Sequence, residues 1–255
     1  MLRNRSPRQT APFAVIFDMD GVLVDSARFH EESWQRIARE IGRPLPPGFF
    51  HKTFGMTNPT SIRRFLAPEA PAAKIRQWSL RKEIIFRDLC RDRIRFLPGA
   101  EKLVRALAAR QIPLAVGSST ERANIEMVLG SVGLGPLFKT IVSSEDVRHG
   151  KPDPEVFLKA AARLGMPPAR CAVVEDAHVG IEAARRAGMP CLAVATTHPR
   201  RTLAGAGQVV GSLQEITVDA IARLVYMFAR CPQNQTCDGR EHPPSQASGR
   251  MENRG

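Results

Sequence analysis

Phe13-Ala14-Val15-Ile16-Phe17-Asp18-Met19-Asp20-Gly21-Val22-Leu23-Val24-Asp25-Ser26 is the stretch on which the reading of the chain turns. It opens as a short apolar run rich in β-branched and aromatic residues, the pattern of a strand buried on both faces of a parallel sheet. The run stops at two carboxylates one residue apart. In open α/β sheets ligands bind beyond the carboxyl ends of strands. Asp18 and Asp20 are therefore expected at the rim of the sheet, within reach of a substrate. Gly21 follows where the chain must turn at once, and glycine reaches backbone conformations closed to other residues.

Two acids at a strand end carry little meaning alone, because many strand ends are simply solvated. Three later segments repeat the arrangement. Val116-Gly117-Ser118-Ser119-Thr120 closes an apolar run at 112–117 and precedes a helical pattern at 121–130. Gly150-Lys151-Pro152-Asp153-Pro154-Glu155 opens a helix expected over 154–164, with Asp153 as its N-cap and Pro154 in the first position. Val173-Val174-Glu175-Asp176-Ala177 ends a strand expected at 171–175 and leads to a helix at 178–187, which Gly188 stops. Further strands are expected at 139–142, 190–195 and near 208–210, and further helices at 100–110 and 217–229. Strands alternating with helices imply a parallel sheet covered on both faces.

Residues 27–96 depart from that alternation, for they read as almost wholly helical. Phe29, Trp34, Ile37, Ala38 and Ile41 recur near helical spacing, and Gly42 with Pro44 ends that helix. A short helix is expected at Ser61–Leu66 after Asn58-Pro59. A long one is expected from about Ala72 to Ile94, with Ile75, Trp78, Ile84, Ile85 and Leu89 as its apolar set. Leu97-Pro98-Gly99 closes the segment.

The 255 residues allow a large buried core in one domain or two. No apolar run is long enough to span a bilayer, and none of signal-peptide length precedes the first strand. The chain is read as cytoplasmic. Its five cysteines form no CxxC pair and are expected to be free thiols. The net charge is +12, and much of it lies in 27–96, where 15 Lys/Arg face 7 Asp/Glu. Such a surface attracts anions, small or polymeric. No aromatic-interleaved basic motif accompanies it, so nucleic acid is not the expected partner.

The four motifs in this order resemble those of the haloacid dehalogenase superfamily, in its β-phosphoglucomutase-like and phosphoglycolate-phosphatase-like branch. The resemblance covers about residues 13–212. It implies an α/β fold, a Rossmann-like parallel sheet core with an inserted α-helical cap domain. The core would comprise 12–26 and 97–230 and the cap 27–96, with a disordered lead at 1–11 and a disordered tail at 231–255. It implies Asp18 as a nucleophile that forms an aspartyl-phosphate, and Asp20 as the acid and base. An aspartate at this second position is similar to the phosphate-ester branches, and differs from the dehalogenase and phosphonate-cleaving branches. Ser118 and Ser119 would bind phosphoryl oxygens beside a helix start, and Lys151 would hold a fixed positive charge there. Asp18, the Asp20 carbonyl, Glu175 and Asp176 would form a hard-oxygen site suited to Mg²⁺.

In the cap, the resemblance points to His30, Lys82 and Asn58 as substrate residues, with Arg81 as an alternative to Lys82. Asn58 stands where a β-phosphoglucomutase is expected to carry an arginine for the distal phosphate. The reading is therefore a Mg²⁺-dependent phosphatase acting on a small-molecule phosphorylated substrate, as a monomer or weak dimer. A hexose-phosphate mutase is the second reading. A catalytically silent binding or regulatory protein is the third, and the intact Asp18, Asp20, Lys151 and Asp176 speak against it.

Overall fold

The computed structural model describes residues 12–230. The lead at 1–11 and the tail at 231–255, with Cys231 and Cys237, lie outside the described residues.

Six strands form one parallel sheet in the order β3-β2-β1-β4-β5-β6. They are β1 (Ala14–Phe17), β2 (Leu114–Gly117), β3 (Thr140–Val142), β4 (Cys171–Glu175), β5 (Cys191–Val194) and β6 (Gln208–Val210). β1 lies at the centre and pairs with both β2 and β4, Ile16 facing Ala115 on one side and Val173 on the other. It is apolar throughout because helices cover both faces. Val15 and Phe17 point into one layer, while Ala14 and Ile16 point into the other with Phe157 and Ile181. The chain runs outward from β1 through β2 to β3, then returns beside β1 and runs outward again through β5 to β6. The strand order thus reverses between β1 and β4, and a crevice opens at their carboxyl ends.

The α/β helices are α5 (Ala100–Ala109), α6 (Arg122–Ser131), α7 (Glu155–Leu164), α8 (His178–Arg186) and α9 (Val218–Arg230). Between β1 and α5 stand α1 (Ala27–Glu40), α2 (Phe49–Thr53), α3 (Asn58–Ser61) and α4 (Ala72–Cys90), the helical cap. α1 packs along α4, burying Phe29, Trp34 and Ile37 against Ile75, Ile85, Phe86 and Leu89.

Three local expectations are corrected. The short cap helix begins at Asn58 rather than Ser61, because Thr57 accepts the Thr60 N–H as its cap, and the turn Ile62–Leu66 is a π-helix. α4 ends at Cys90 rather than Ile94, and Asp92 follows with a positive φ of 56°. On α4 itself, Ile84 is exposed and Trp78 only half-buried, while Lys82 and Glu83 are buried at 1% and 3% exposure. Asp153 does cap α7, its Oδ1 accepting the Glu155 N–H at 3.0 Å.

Cys90, Cys171 and Cys191 are free and buried. Several of the cap's basic residues form surface pairs with its own acids, such as Arg36–Glu32, Arg43–Glu69 and Arg81–Glu40, which leaves the net positive charge of the segment in place. Among the described residues, no helix is long and apolar enough to cross a membrane.

Candidate active site

The crevice between β1 and β4 gathers the residues that the four motifs single out. Asp18 leaves the end of β1, its N–H bonded to the Val174 carbonyl at 2.9 Å. Glu175 is the last residue of β4, and Asp176 follows it. Lys151, from the loop before α7, enters between them: its Nζ donates to Asp18 Oδ1 and to Glu175 Oε1, both at 2.7 Å. Lys151 is buried, and its charge lies 4.9 Å from the centre of the Phe157 ring. The other Glu175 oxygen accepts the N–H groups of Asp176 and Ala177. Gly180 on α8 leaves room for that carboxylate, where a Cβ would collide with it.

Three carboxylates and one ammonium are thus buried together. Burial pushes the Asp18 carboxyl up to about 7, with Glu175 and Asp20 adding to the effect and Lys151 opposing it. Burial, Glu175 and Asp18 likewise push the Asp176 carboxyl well up. Burial alone would lower Lys151, but Asp18 and Glu175 outweigh it and hold the ammonium charged. With all three carboxylates ionised the cluster would carry more negative than positive charge in a dry place, so their ionisation calls for a further cation.

Asp18, Glu175 and Asp176 can each offer an oxygen within 4.8 Å of the others. Asp176 Oδ2 accepts the Thr197 hydroxyl, while its Oδ1 is buried with no hydrogen-bond partner. Glu175 is already satisfied by Lys151 and two backbone N–H groups. An orphaned carboxylate oxygen beside an excess of negative charge fits a hard divalent cation.

Asp20 is held differently. Its Oδ1 accepts the Ser26 hydroxyl at 2.6 Å, and its Oδ2 accepts the Thr120 hydroxyl at 2.6 Å. His30 Nε2, from cap helix α1, lies 3.1 Å from Oδ1 without an aligned hydrogen bond. Burial would raise the Asp20 carboxyl, but His30, Ser26 and Thr120 outweigh it and hold it well below the ordinary range. His30 Nδ1 meets Lys82 Nζ at 2.8 Å. An ammonium has no acceptor, so Nδ1 accepts and the ring proton sits on Nε2, facing Asp20. Phe86 stacks on the His30 ring at 4.0 Å.

The cap residues form a second buried polar cluster. Lys82 Nζ donates to Glu83 Oε1 at 3.0 Å. Asn58 Nδ2 donates to the same oxygen at 2.5 Å. The other Glu83 oxygen accepts the amide of Asn124 on core helix α6, and Arg87 reaches the Asn124 Oδ1 at 2.7 Å. Burial pushes the Glu83 carboxyl up, yet Lys82, His30 and these hydrogen bonds hold it below its usual value.

Ser118 is buried at the rim, its N–H on the Val142 carbonyl and its Oγ accepting the Thr120 N–H at 3.2 Å. The Ser119 hydroxyl donates at 2.7 Å to the carbonyl of Gly55 in the cap loop. Arg81 faces solvent on its pair with Glu40, outside the site. A cavity of about 40 Å³ lies between rim and cap, lined by Asp18, Asp20, His30, Trp34, Lys82 and Ser118 among others. It has room for a few water molecules and is too small for a sugar phosphate.

The sequence reading missed several of these partners. Ser26 and Thr120 lie inside the quoted motifs and could have been named as hydroxyl donors. Thr197 follows β5 at the same rim. Glu83, Arg87 and Asn124 carry no local signal, being polar residues on helices.

A family model described as haloacid dehalogenase-like hydrolase matches residues 14–188. The chain belongs to this family. Among curated haloacid dehalogenase-like relatives, it is 37% identical over 211 residues to the Arabidopsis thaliana chloroplastic 5-amino-6-(5-phospho-D-ribitylamino)uracil phosphatase. That match takes in 82% of this chain and 57% of the relative, so the chain spans little more than half of that relative's length. It is 33% identical over 182 residues to fructose-1-phosphate phosphatase of Escherichia coli, covering 71% of this chain and 95% of that protein. Among solved structures, a β-phosphoglucomutase of Clostridium difficile superposes with a TM-score of 0.78 at 25% identity, over 87% of this chain and 100% of that one.

Proposed function

We propose that this chain is a Mg²⁺-dependent phosphatase, hydrolysing a small sugar or organic-acid phosphate through an aspartyl-phosphate on Asp18. The observation that carries this reading is Lys151 clamped between Asp18 and Glu175, with Asp20 held a few residues away by its own set of donors. A nucleophile, a fixed positive charge and a separate proton carrier are what phosphoryl transfer needs. Two curated relatives are named as phosphatases.

In this reading an Asp18 oxygen attacks phosphorus, and the bond from phosphorus to the leaving alcohol oxygen breaks. Asp20 supplies the proton to that oxygen. It sits ionised beside His30, so it must first take a proton from solvent or the substrate's own phosphate, while the His30 Nε2–H, 3.1 Å away, holds its carboxylate in place. Water then attacks the phosphorus, Asp20 takes its proton, and the bond from phosphorus to the Asp18 oxygen breaks to free phosphate and the carboxylate. Lys151 and the Ser118 hydroxyl face the phosphoryl oxygens, as does the Ser119 backbone. Asp18, Asp176 and the Asp20 carbonyl would hold Mg²⁺, with Glu175 bracing them, and the bound ion would offset charge on the phosphoryl oxygens. The small cavity requires the cap to move for substrate entry and product exit. His30, Lys82 and Asn58 are the cap residues the substrate meets.

The test is phosphate release from a panel of phosphomonoesters, with and without Mg²⁺, beside Asp18→Asn. Release that needs both Mg²⁺ and Asp18 supports the reading; release that survives Asp18→Asn overturns it. The likeness to a structure named β-phosphoglucomutase makes a hexose-phosphate mutase the second reading. Interconversion of hexose 1- and 6-phosphates after priming with a bisphosphate, without net phosphate release, would favour it.

A further inference from the structure

Helix α4 carries apolar side chains on two faces, and the fold accounts for only one of them. Ile75, Phe86 and Leu89 are buried in the main core cluster. Leu80 and Ile84, one turn apart, face outward and are 58% and 42% exposed. Between them and α1 runs an open groove of about 660 Å³, lined by Ile37, Ile41 and Trp78. Single exposed apolar side chains are ordinary, but a contiguous apolar patch marks a contact surface.

The charges on the same face run against the helix. Lys74, Gln77, Arg81, Ile84 and Asp88 recur at intervals of three and four and therefore form one stripe. Lys74 stands in the first turn of α4 and Asp88 in the last, where the positive amino end and the negative carboxyl end of the helix disfavour them. The chain does little to compensate either one. Among the described residues Lys74 has no acid partner and finds only the Gln77 amide oxygen, at 3.4 Å. Asp88 has only Arg91, at 3.9 Å and well exposed to water. Arg81 turns aside to α1, and its two bonds to Glu40, at 2.8 and 2.7 Å, leave a neutral pair at the rim of the patch.

A second copy laid antiparallel on α4 answers each of these features. Lys74 precedes Arg81 by seven residues and Asp88 follows it by seven, while Leu80 and Ile84 flank Lys82 by two on either side. A two-fold axis crossing α4 at residues 81–82 therefore sets Leu80 on the partner's Ile84 and Lys74 beside the partner's Asp88. Each contact is made twice, as in any isologous dimer. The dipoles of the two helices are opposed as well. An acidic macromolecule fits less well, because Asp88 and Glu40 on this face would repel it.

We propose that the outer face of α4 is a homodimer interface, its occupant the same face of a second copy. Both active sites stay clear, since Lys82 and Glu83 point inward from the same helix. The patch lies at the small end of specific interfaces, so the dissociation constant should be on the order of 10 µM. The proposal stands apart from the phosphatase reading and needs no turnover to be tested.

The experiment is sedimentation of the full chain between about 1 and 200 µM, a span that brackets the expected constant. The wild type is compared with Leu80→Asp, Lys74→Glu and Asp88→Lys. All three positions are exposed, and both charge variants suit the helix dipole better than the native residues do, so circular dichroism should show each variant folded. The wild type should pass from the mass of one chain to that of two. Leu80→Asp should remain a monomer. Each charge variant alone should weaken the dimer about tenfold, because both ion pairs become like-charge contacts. An equimolar mixture of Lys74→Glu and Asp88→Lys should regain the wild-type affinity, since each chain then supplies the charge that the other lacks. A wild type that is monomeric throughout, a Leu80→Asp variant that still dimerises, or a mixture no tighter than its components overturns the proposal. A monomeric wild type that binds polyglutamate, and loses it in Lys74→Glu, would assign the patch to an acidic partner instead.

Discussion

The sheet rim and the cap face each bury charged groups against the cavity, but by different means. At the rim, Asp18, Glu175 and Asp176 come directly off the ends of β1 and β4, and backbone N–H groups hold Glu175 in place. Their positions follow from the register of the sheet. On the cap, Lys82 and Glu83 project from the middle of α4 and are held by other side chains: His30 from α1, Asn58 from α3 and Asn124 from α6. The rim is rigid through the main chain. The cap cluster is rigid only while cap and core stay together, because Asn124 lies on the core and Glu83 on the cap. A site that must open benefits from this division, since contacts between side chains can separate while the strand ends stay fixed.

Breaking the rim should have the largest effect. Lys151→Met leaves Asp18 and Glu175 buried without their ammonium. It should cost about 3–5 kcal/mol of stability and abolish turnover, as read from urea unfolding and phosphate release. Asp18→Asn should separate the two roles: turnover falls on the order of 10³-fold or more, while the melting temperature holds or rises because one of three crowded carboxylates has gone. A melting temperature that falls as far as in Lys151→Met would contradict the charge-excess account of the rim.

Breaking the cap cluster should cost less. Glu83→Gln turns an amide toward the amides of Asn58 and Asn124, a loss of about 1–3 kcal/mol for buried donors left without partners. Hydrogen exchange should rise along α4 and stay unchanged along β4, and kcat/KM should fall about tenfold. Equal loss of protection in both elements would mean that cap and rim are one unit.

The pH dependence sharpens the comparison further. Glu121 has a folded value raised from 4.5 to about 7 by burial and Glu83. The unfolded state therefore binds fewer protons than the folded state between these values. The associated stability is fully present below 4.5 and is lost as pH rises to about 7. Glu121→Gln should flatten the wild-type slope across this window, measured as urea midpoints at pH 4.5 and 8. The smallest effect belongs to Arg81→Ala. Its pair with Glu40 is exposed, so melting temperature and kcat/KM should both stay at the wild-type values.

The contrast also explains what was legible beforehand. The rim was readable because strands put their chemistry at their ends: an apolar run followed by Asp18 or by Glu175-Asp176 announces both the element and the position of the acid. Helices give no such punctuation. The apolar spacing on α4 suggested Ile84 and Trp78 as buried, and only the family resemblance pointed to Lys82, with Arg81 as its alternative. The helix is in fact rotated so that Lys82 and Glu83 point inward and Ile84 faces water. Burying a charged pair runs against ordinary patterning, and it is tolerated here because each charge finds a partner on another element.

From the sequence alone came the parallel α/β sheet, the helical insert, the four motifs and the family they resemble. These depend on hydrophobic periodicity and on short-range spacing, which the chain carries locally. The tertiary structure decided the rest: that Lys151 bridges Asp18 and Glu175, that Ser119 ties the cap loop at Gly55, and that Glu83 joins the cap to Asn124 across 41 residues of chain. Such contacts depend on how helices rotate and dock against the sheet, which is settled by packing of the whole core and leaves no mark in any local stretch of residues.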